Sequence, residues 1–424
     1  MIFRNALEKL NFRLEQGDQF PALASSRISG RIIFVLLSIF AVSFVLSLAL
    51  MQFIGAVIFI IWLTERWREK RKAMDTLTSL IILFGFIRIL SIIFSEYPAL
   101  SNESLYKEAL FYSSFVSVNF YLKTLPGKKI HNLFMIFIIG AAVMAAIGSI
   151  RFVLGIVDRA QGFSSSYTVF SCYILTAFSA GLYFPRQTKE TSRAFLWSFL
   201  ITLLFIGLVT SLGRANIAIA VLILISALLL RRLNLKEIIF LGLFFSLFAA
   251  AYFLKPSQVI SERVQNISYL SDRDIIWMGA GQLLNKHPVL GFGPRTFREI
   301  FPQELKEMFA DKGIGGWHND FLQVYFESGL LGLASFIILI IYIFYLAILN
   351  ERNKKISGDL KRISSSALAA IVSMLISSLF SGFIYSVVLS IVFVFLITVI
   401  TRIHSDKILA ESVQEKPQTQ PAID

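Results

Sequence analysis

Long apolar runs broken by short polar hinges fill almost the whole chain. Runs of this length and polarity predict membrane-spanning helices. They fall at Ile32–Leu48, Met51–Leu63, Leu77–Phe94, Ala109–Leu122, Leu133–Ile156, Val169–Phe184, Phe195–Thr210, Ala215–Leu230, Ile238–Leu254, Phe321–Leu349, Ser364–Phe383 and Ser386–Thr401. Almost nothing polar separates the first two, which predicts a tight hairpin. Only one stretch breaks the rhythm. Between Lys255 and Asp320 the chain is polar, rich in Arg, His, Gly and aromatics, and carries two helical patterns. Loops this long are usually functional when they are ordered.

The fold class expected is therefore an all-α polytopic membrane protein of about 12 transmembrane helices, with a long helical loop between helices 9 and 10. The organisation is a cytoplasmic tail at 1–31, helices 1–9 at 32–254, the loop at 255–320, helices 10–12 at 321–402 and a disordered cytoplasmic tail at 403–424. Composition agrees: 56% of residues are hydrophobic, above the ~45–50% of soluble domains, and mean hydropathy is +0.71. No cleavable leader pattern precedes the first run.

The formal charge of +13 does not point to nucleic acid, because the basic residues sit in hinges between apolar runs. Hinges after runs two, four, six, eight and ten are basic, as are both tails. Those after three, five, seven and nine are acidic, small or mixed. The positive-inside rule then puts both termini in the cytoplasm and the long loop outside, facing the periplasm or the cell exterior. Cys172, the single cysteine, lies in an apolar run, so neither an internal disulfide nor a thiolate metal site is expected.

With the topology fixed, the informative arginines are those on the outer side: Arg88, Arg151, Arg159, Arg214, Arg263, Arg273, Arg295 and Arg298. A charge within a span is costly and faces a polar cavity or a partner. Several on one side describe a cationic cavity for an anion, and Arg suits phosphate. Two readings stay open for some of them. Arg151 also fits a snorkelling span end, and Arg88 also fits pairing with a buried carboxylate such as Glu327. Arg214 lies in the short link Ser211–Leu212–Gly213–Arg214, which needs no charge.

In the long loop, Ser271 and Asp274 form a weak capping box for a helix with Ile276, Ala280, Leu283 and Leu284 on its apolar face. His287–Pro288 stops it. Pro294 is placed to open a second helix, with Phe297, Ile300, Phe301, Leu305, Met308 and Phe309 inward. The glycines of 313–316 make a hinge into Trp317–His318–Asn319–Asp320. Of four histidines, His131 and His404 fall on the cytoplasmic side and His287 fits a structural role at a helix stop. His318, on the outer side, has a type whose ordinary pKa of about 6.5 suits general-base work.

These residues form an ordered set. Arg273-x-x-x-Trp277, Pro288-Val-Leu-Gly291-Phe-Gly293, His318-Asn319-Asp-Phe-Leu-Gln323 and Glu327-Ser-Gly329-Leu-Leu-Gly332 resemble the signature of the O-antigen ligase / O-antigen polymerase superfamily. Arg159-Ala-Gln-Gly162-Phe and Ser211-Leu-Gly-Arg214 resemble its upstream elements. The resemblance covers roughly residues 130–350. It implies an inverting, metal-independent and cofactor-free glycosyltransferase that takes a glycan from undecaprenyl diphosphate, in lipopolysaccharide biosynthesis. By position it implies Arg214, Arg273 and His318 as catalytic. Arg214, Arg273, Arg159 and Arg88 would hold the diphosphate, and Asn319, Trp277 and Glu327 would support them. The acceptor would be lipid A–core for a ligase or a second lipid-linked repeat for a polymerase, with membrane lipids around the site. A lipid-linked-glycan transporter is the reading from another class. It predicts charge along a whole transmembrane path and an internal repeat. Neither is visible here.

Overall fold

A computed structural model describes residues 26–163, 166–184, 191–254, 272–309 and 315–414. Expectations for Arg263, the Ser271 cap, the start of the glycine hinge and both terminal tails' ends lie outside the described residues. Among those described there are sixteen helices and no strand. They are α1 (Gly30–Leu46), α2 (Leu48–Leu63), α3 (Trp67–Ala73), α4 (Thr76–Ile93), α5 (Pro98–Thr124), α6 (Gly127–Val153), α7 (Tyr167–Tyr183) and α8 (Thr191–Thr210). There follow α9 (Arg214–Leu229), α10 (Leu235–Leu254), α11 (Arg273–Leu283), α12 (Phe297–Ile300), α13 (Gln303–Lys306), α14 (Asp320–Arg352), α15 (Gly358–Ser377) and α16 (Val387–Gln414).

Among the described residues, six helices are long and apolar enough to cross a membrane: α4, α6, α8, α14, α15 and the first part of α16. A seventh arises if α2 and α3, bent by 117° at Thr64–Arg66, form one broken span. Shorter apolar helices lie at Gly30–Phe44, α7 and α9. The described residues form helices and no strand, and their several apolar helices are those of a multi-pass membrane protein.

The bundle is built around α7, buried on every side from Phe170 to Tyr183, and around α15 and α16, which pack against it. Close approach in such bundles comes from small residues and from hydroxyls that bond across helices. Ser366 Oγ donates to the Ala180 carbonyl. A Cβ on Gly207 of α8 would come within 2.7 Å of Ala145 Cβ on α6.

The two ends of the bundle are distinct. At one end the basic hinges hold helices together: Lys129 Nζ donates to Gly30 O (2.8 Å), and Lys123 Nζ pairs with Asp75. There too the buried Arg402 donates to Leu125 O (2.8 Å), satisfying the carbonyl end of α5. The other end carries α11–α13 and a second small core of Ile276, Ala280, Leu283, Phe297, Phe301, Trp317 and Phe326.

Several boundaries differ from the sequence reading. The stretch Glu96–Glu108 is not a loop. Helix α5 begins at Pro98, a residue suited to a first helical turn, and runs through Glu103 and Glu108. The eleventh run ends as a helix at Ser377, and 378–386 is a turn. Residue Asp272 precedes α11 in the left-handed region (φ 59°), and its own side chain makes no cap bond. The second outer helix is two short ones, because Pro302 lacks the N–H that would continue α12. Helix α16 continues past Arg402 to Gln414.

The largest departure is in α14, which breaks at Gly329 (φ 63°, ψ −163°). A break inside a span frees backbone groups that lipid cannot satisfy. Here the segment 288–293 satisfies them. Leu330 N donates to Pro288 O (2.7 Å) and Leu331 N to Val289 O (3.3 Å). Phe292 N donates to Phe326 O (2.7 Å) and Gly293 N to Glu327 O (3.2 Å). Only glycine fits such contact. A Cβ on Gly329 would lie 2.1 Å from Val289 O, and one on Gly291 would lie 2.6 Å from Phe326 O. The two glycine motifs of the sequence are thus the two halves of one backbone junction.

Candidate functional site

The end that carries α11–α13 gathers most of the predicted residues around the start of α14. Trp317 is 1% exposed. Its indole stacks on Phe326 at 4.0 Å and meets Phe297 and Phe301 edge-on at 4.9 and 5.9 Å. On the other side Asn319 caps α14, its Oδ1 accepting from Phe321 N (2.9 Å) and Leu322 N (3.1 Å). Between these two anchors His318 is held at φ 49° with its side chain exposed. Trp317→Ala is expected to cost about 3–5 kcal/mol of the small outer core. Limited proteolysis should then nick 272–309 faster while the spans stay resistant; an unchanged nicking rate would contradict the anchoring role.

Arg214 is exposed at the first position of α9, and Arg273 is half-buried at the first position of α11. The Arg273 guanidinium donates to Phe380 O, through Nε at 3.1 Å. Burial, and then the nearby charge of Arg214, hold its pKa below the ordinary arginine value, against an opposing pull from Tyr167. The pKa of His318 is also lowered, first by partial desolvation and then by the charge of Arg273. Arg273 therefore sits within electrostatic reach of both Arg214 and His318, although the three are far apart in the chain.

Arg159 joins the same neighbourhood. Ala160 N donates to Thr210 O (3.0 Å), which docks the Arg159–Gly162 segment on the end of α8 beside the Ser211–Arg214 link. The Arg159 guanidinium lies over the Tyr167 ring, 4.0 Å from its centroid. Tyr167 is thus a member of the site that the sequence reading missed. Its signal was an aromatic residue at the start of the span that follows Arg159.

Arg88 is elsewhere. It is 2% exposed, with Nε 2.8 Å from Glu108 Oε2 and Nη2 3.2 Å from Glu327 Oε2. Of its two readings, pairing with a buried carboxylate is the arrangement observed, and Glu108 is a second partner. Glu327 also accepts from Gln323 Nε2 (2.7 Å), from Arg295 N (2.9 Å) and from the Tyr385 hydroxyl. It therefore pins the helix break, the 288–295 segment and the turn before α16 together. A cleft of about 40 Å³ beside this network is lined by Phe84, Glu108, Tyr112, Arg295, Phe336 and Tyr385, and by none of Arg214, Arg273 and His318.

Trp277, one turn beyond Arg273, is 49% exposed. His287 lies 3.0 Å from Glu96 and packs on Phe292, as expected for a structural histidine. No group of three or more His, Cys, Asp or Glu side chains assembles among the described residues.

Backbone strain concentrates at this end. The non-glycine residues with positive φ among those described are Leu212, Arg231, Asp272, Arg295 and His318. Four of them lie in or next to the motif segments, where the surrounding structure must hold conformations that side chains disfavour.

Residues 199–337 match the family model described as O-antigen ligase. The matched segment contains Arg214, Arg273, His318, Asn319 and Glu327. The match supports the O-antigen ligase superfamily for this chain. No curated protein matches the chain at a significant level.

Proposed function

We propose that this chain is the O-antigen ligase its matched segment resembles. It would transfer a glycan from undecaprenyl diphosphate to lipid A–core at the periplasmic face of the inner membrane. The observation that supports the reading is the nearness of Arg273 to both Arg214 and His318, with all three residues inside the matched segment. The expected topology of twelve spans with both termini cytoplasmic would put that end outside. Lys123 and Lys129, from one of the basic hinges, lie at the opposite end, which supports that orientation under the positive-inside rule.

The chemistry follows from the residues. The C1–O bond between sugar and diphosphate breaks, and the diphosphate leaves with the electron pair. Two guanidiniums brought close together repel, so an anion between them is favoured. Their attraction grows as negative charge develops on the leaving group. Arg159 would extend the cationic rim. The acceptor hydroxyl attacks C1 from the opposite face and inverts the anomeric centre. Its proton passes to His318, which a lowered pKa keeps neutral and ready to accept at pH 7. Diphosphate is a good leaving group, and the resemblance implies transfer without a metal. EDTA is therefore expected to leave the rate unchanged; a loss that Mg²⁺ restores would require a different mechanism.

The acceptor is tested with purified protein in lipid and one labelled undecaprenyl-diphosphate glycan. Lipid A–core is offered in one tube and a second lipid-linked repeat in another. Label on lipid A–core supports the ligase. Label only in lengthened lipid-linked chains would make the enzyme a polymerase with the same catalytic residues.

A further inference from the structure

The turn between α15 and α16 touches every element that carries a proposed catalytic residue, yet it lies outside the segment that matches the family. Toward α9, Ser377 Oγ donates to Asn216 Oδ1 (2.7 Å), and Asn216 Nδ2 donates to Ser171 Oγ (2.9 Å). Asn216 lies two residues beyond Arg214, on the same first turn. Toward α11, the Phe380 carbonyl accepts from the Arg273 guanidinium (Nε, 3.1 Å). Toward α14, Asp320 N donates to Ser378 O (3.1 Å), and Asn319 Nδ2 lies 3.4 Å from Leu379 O. The Asp320 carboxylate, 1% exposed, accepts from Phe383 N (2.7 Å) and Ile384 N (3.2 Å).

Asp320 closes this arrangement. Its backbone holds one end of the turn and its side chain the other, and His318 is two residues away. The fit is close: a Cβ on Gly382 would lie 2.5 Å from Asp320 Oδ1. Placing a carboxylate in the interior is costly unless donors meet it. The two turn amides are such donors, in a fixed geometry. A hydrophobic span end needs no such group, since the carbonyl ends of α15 could be satisfied by water.

We propose that the Ser377–Ile384 turn is a positioning platform, with Asp320 its key positioning residue, that fixes the separation of His318 from Arg273 and Arg214. The role rests on the function proposed above. Asp320 itself touches no reacting atom. It acts by holding the general base in register with the two arginines that receive the leaving group. A misplacement of about 1 Å in such a constellation costs about 10²-fold in rate.

Two variants test the platform. Asp320→Asn keeps the shape but removes one of the two accepting oxygens. Gly382→Ala keeps the carboxylate and pushes it off its amides. Each is measured for kcat and donor KM, and for the rate at which diethylpyrocarbonate modifies His318, read by peptide mapping with His131, His287 and His404 as internal controls. The expected result is a kcat fall of about 10²-fold with donor KM little changed. His318 modification should speed up several-fold while the three controls stay constant. Asp320→Asn should add nothing in a His318→Ala background. Wild-type kcat in both variants, or lost kcat with unaltered His318 modification, would overturn the proposal. If Asp320→Asn fails to fold, Gly382→Ala decides alone. The modification readout needs no turnover. A wild-type chain that transferred no glycan would end the functional reading and leave the platform test standing.

Discussion

His318→Ala is expected to lower kcat by about 10²–10⁴-fold while the protein still folds and inserts. The side chain is exposed at the site and contributes nothing to either core, so its loss should spare stability. Its surroundings also set a pH dependence. Partial desolvation and then the Arg273 charge disfavour the imidazolium, so the folded pKa lies below the ordinary histidine value. The neutral base is the active form. The rate should therefore be flat through neutral pH and fall as the solution is acidified, with a midpoint below that of a free histidine. Arg273→Gln removes the repelling charge, so in that variant the midpoint of the residual activity should move upward. A pH–rate profile of kcat in the two proteins measures this. Wild-type turnover by a folded His318→Ala protein would remove histidine from the chemistry.

Arg214→Ala and Arg273→Ala are each expected to lose about 10²–10³-fold in kcat/KM for the donor, and far less in use of the acceptor. The two differ in how they should fail. Arg214 is exposed at the start of α9, so its replacement removes a cationic group from the face of the site. Arg273 also bonds the Phe380 carbonyl, so its loss additionally frees part of the α15–α16 turn. Lysine at either position should recover only part of the activity, because an ammonium cannot reproduce the planar two-pronged contact of a guanidinium with phosphate oxygens. Steady-state kinetics with each substrate varied in turn provide the test. Unchanged donor kinetics in both alanine variants would rule out the diphosphate role.

Much of this arrangement was legible in the chain, for identifiable reasons. Most of each apolar run falls on a helix, because helix length and composition are written locally. His318 and the outer arginines stood out as polar groups where topology predicts none. What stayed hidden was pairing between distant segments. Glu108 read as part of an acidic loop, since nothing local shows that α5 begins at Pro98 and turns Glu108 toward Arg88. Gly291 and Gly329 read as members of two separate motifs, while their function is a shared backbone contact. The 378–384 turn read as the end of a span, because its polar work is done by carbonyls and amides, which every residue possesses. Arg88 had two readings, and only the fold distinguishes a carboxylate partner from a cavity.

The central claim is that Arg214, Arg273 and His318 form one site that moves a glycan off a lipid diphosphate. A single-turnover reaction tests it most directly. Purified protein in lipid, in excess over undecaprenyl diphosphate bearing an isotopically labelled sugar of known anomeric configuration, is mixed with acceptor, and the product's anomeric centre is read by NMR. Wild type should give one inverted product with release of undecaprenyl diphosphate, and His318→Ala should give almost none. Retained configuration, or equal product from the His318→Ala protein, would contradict the account.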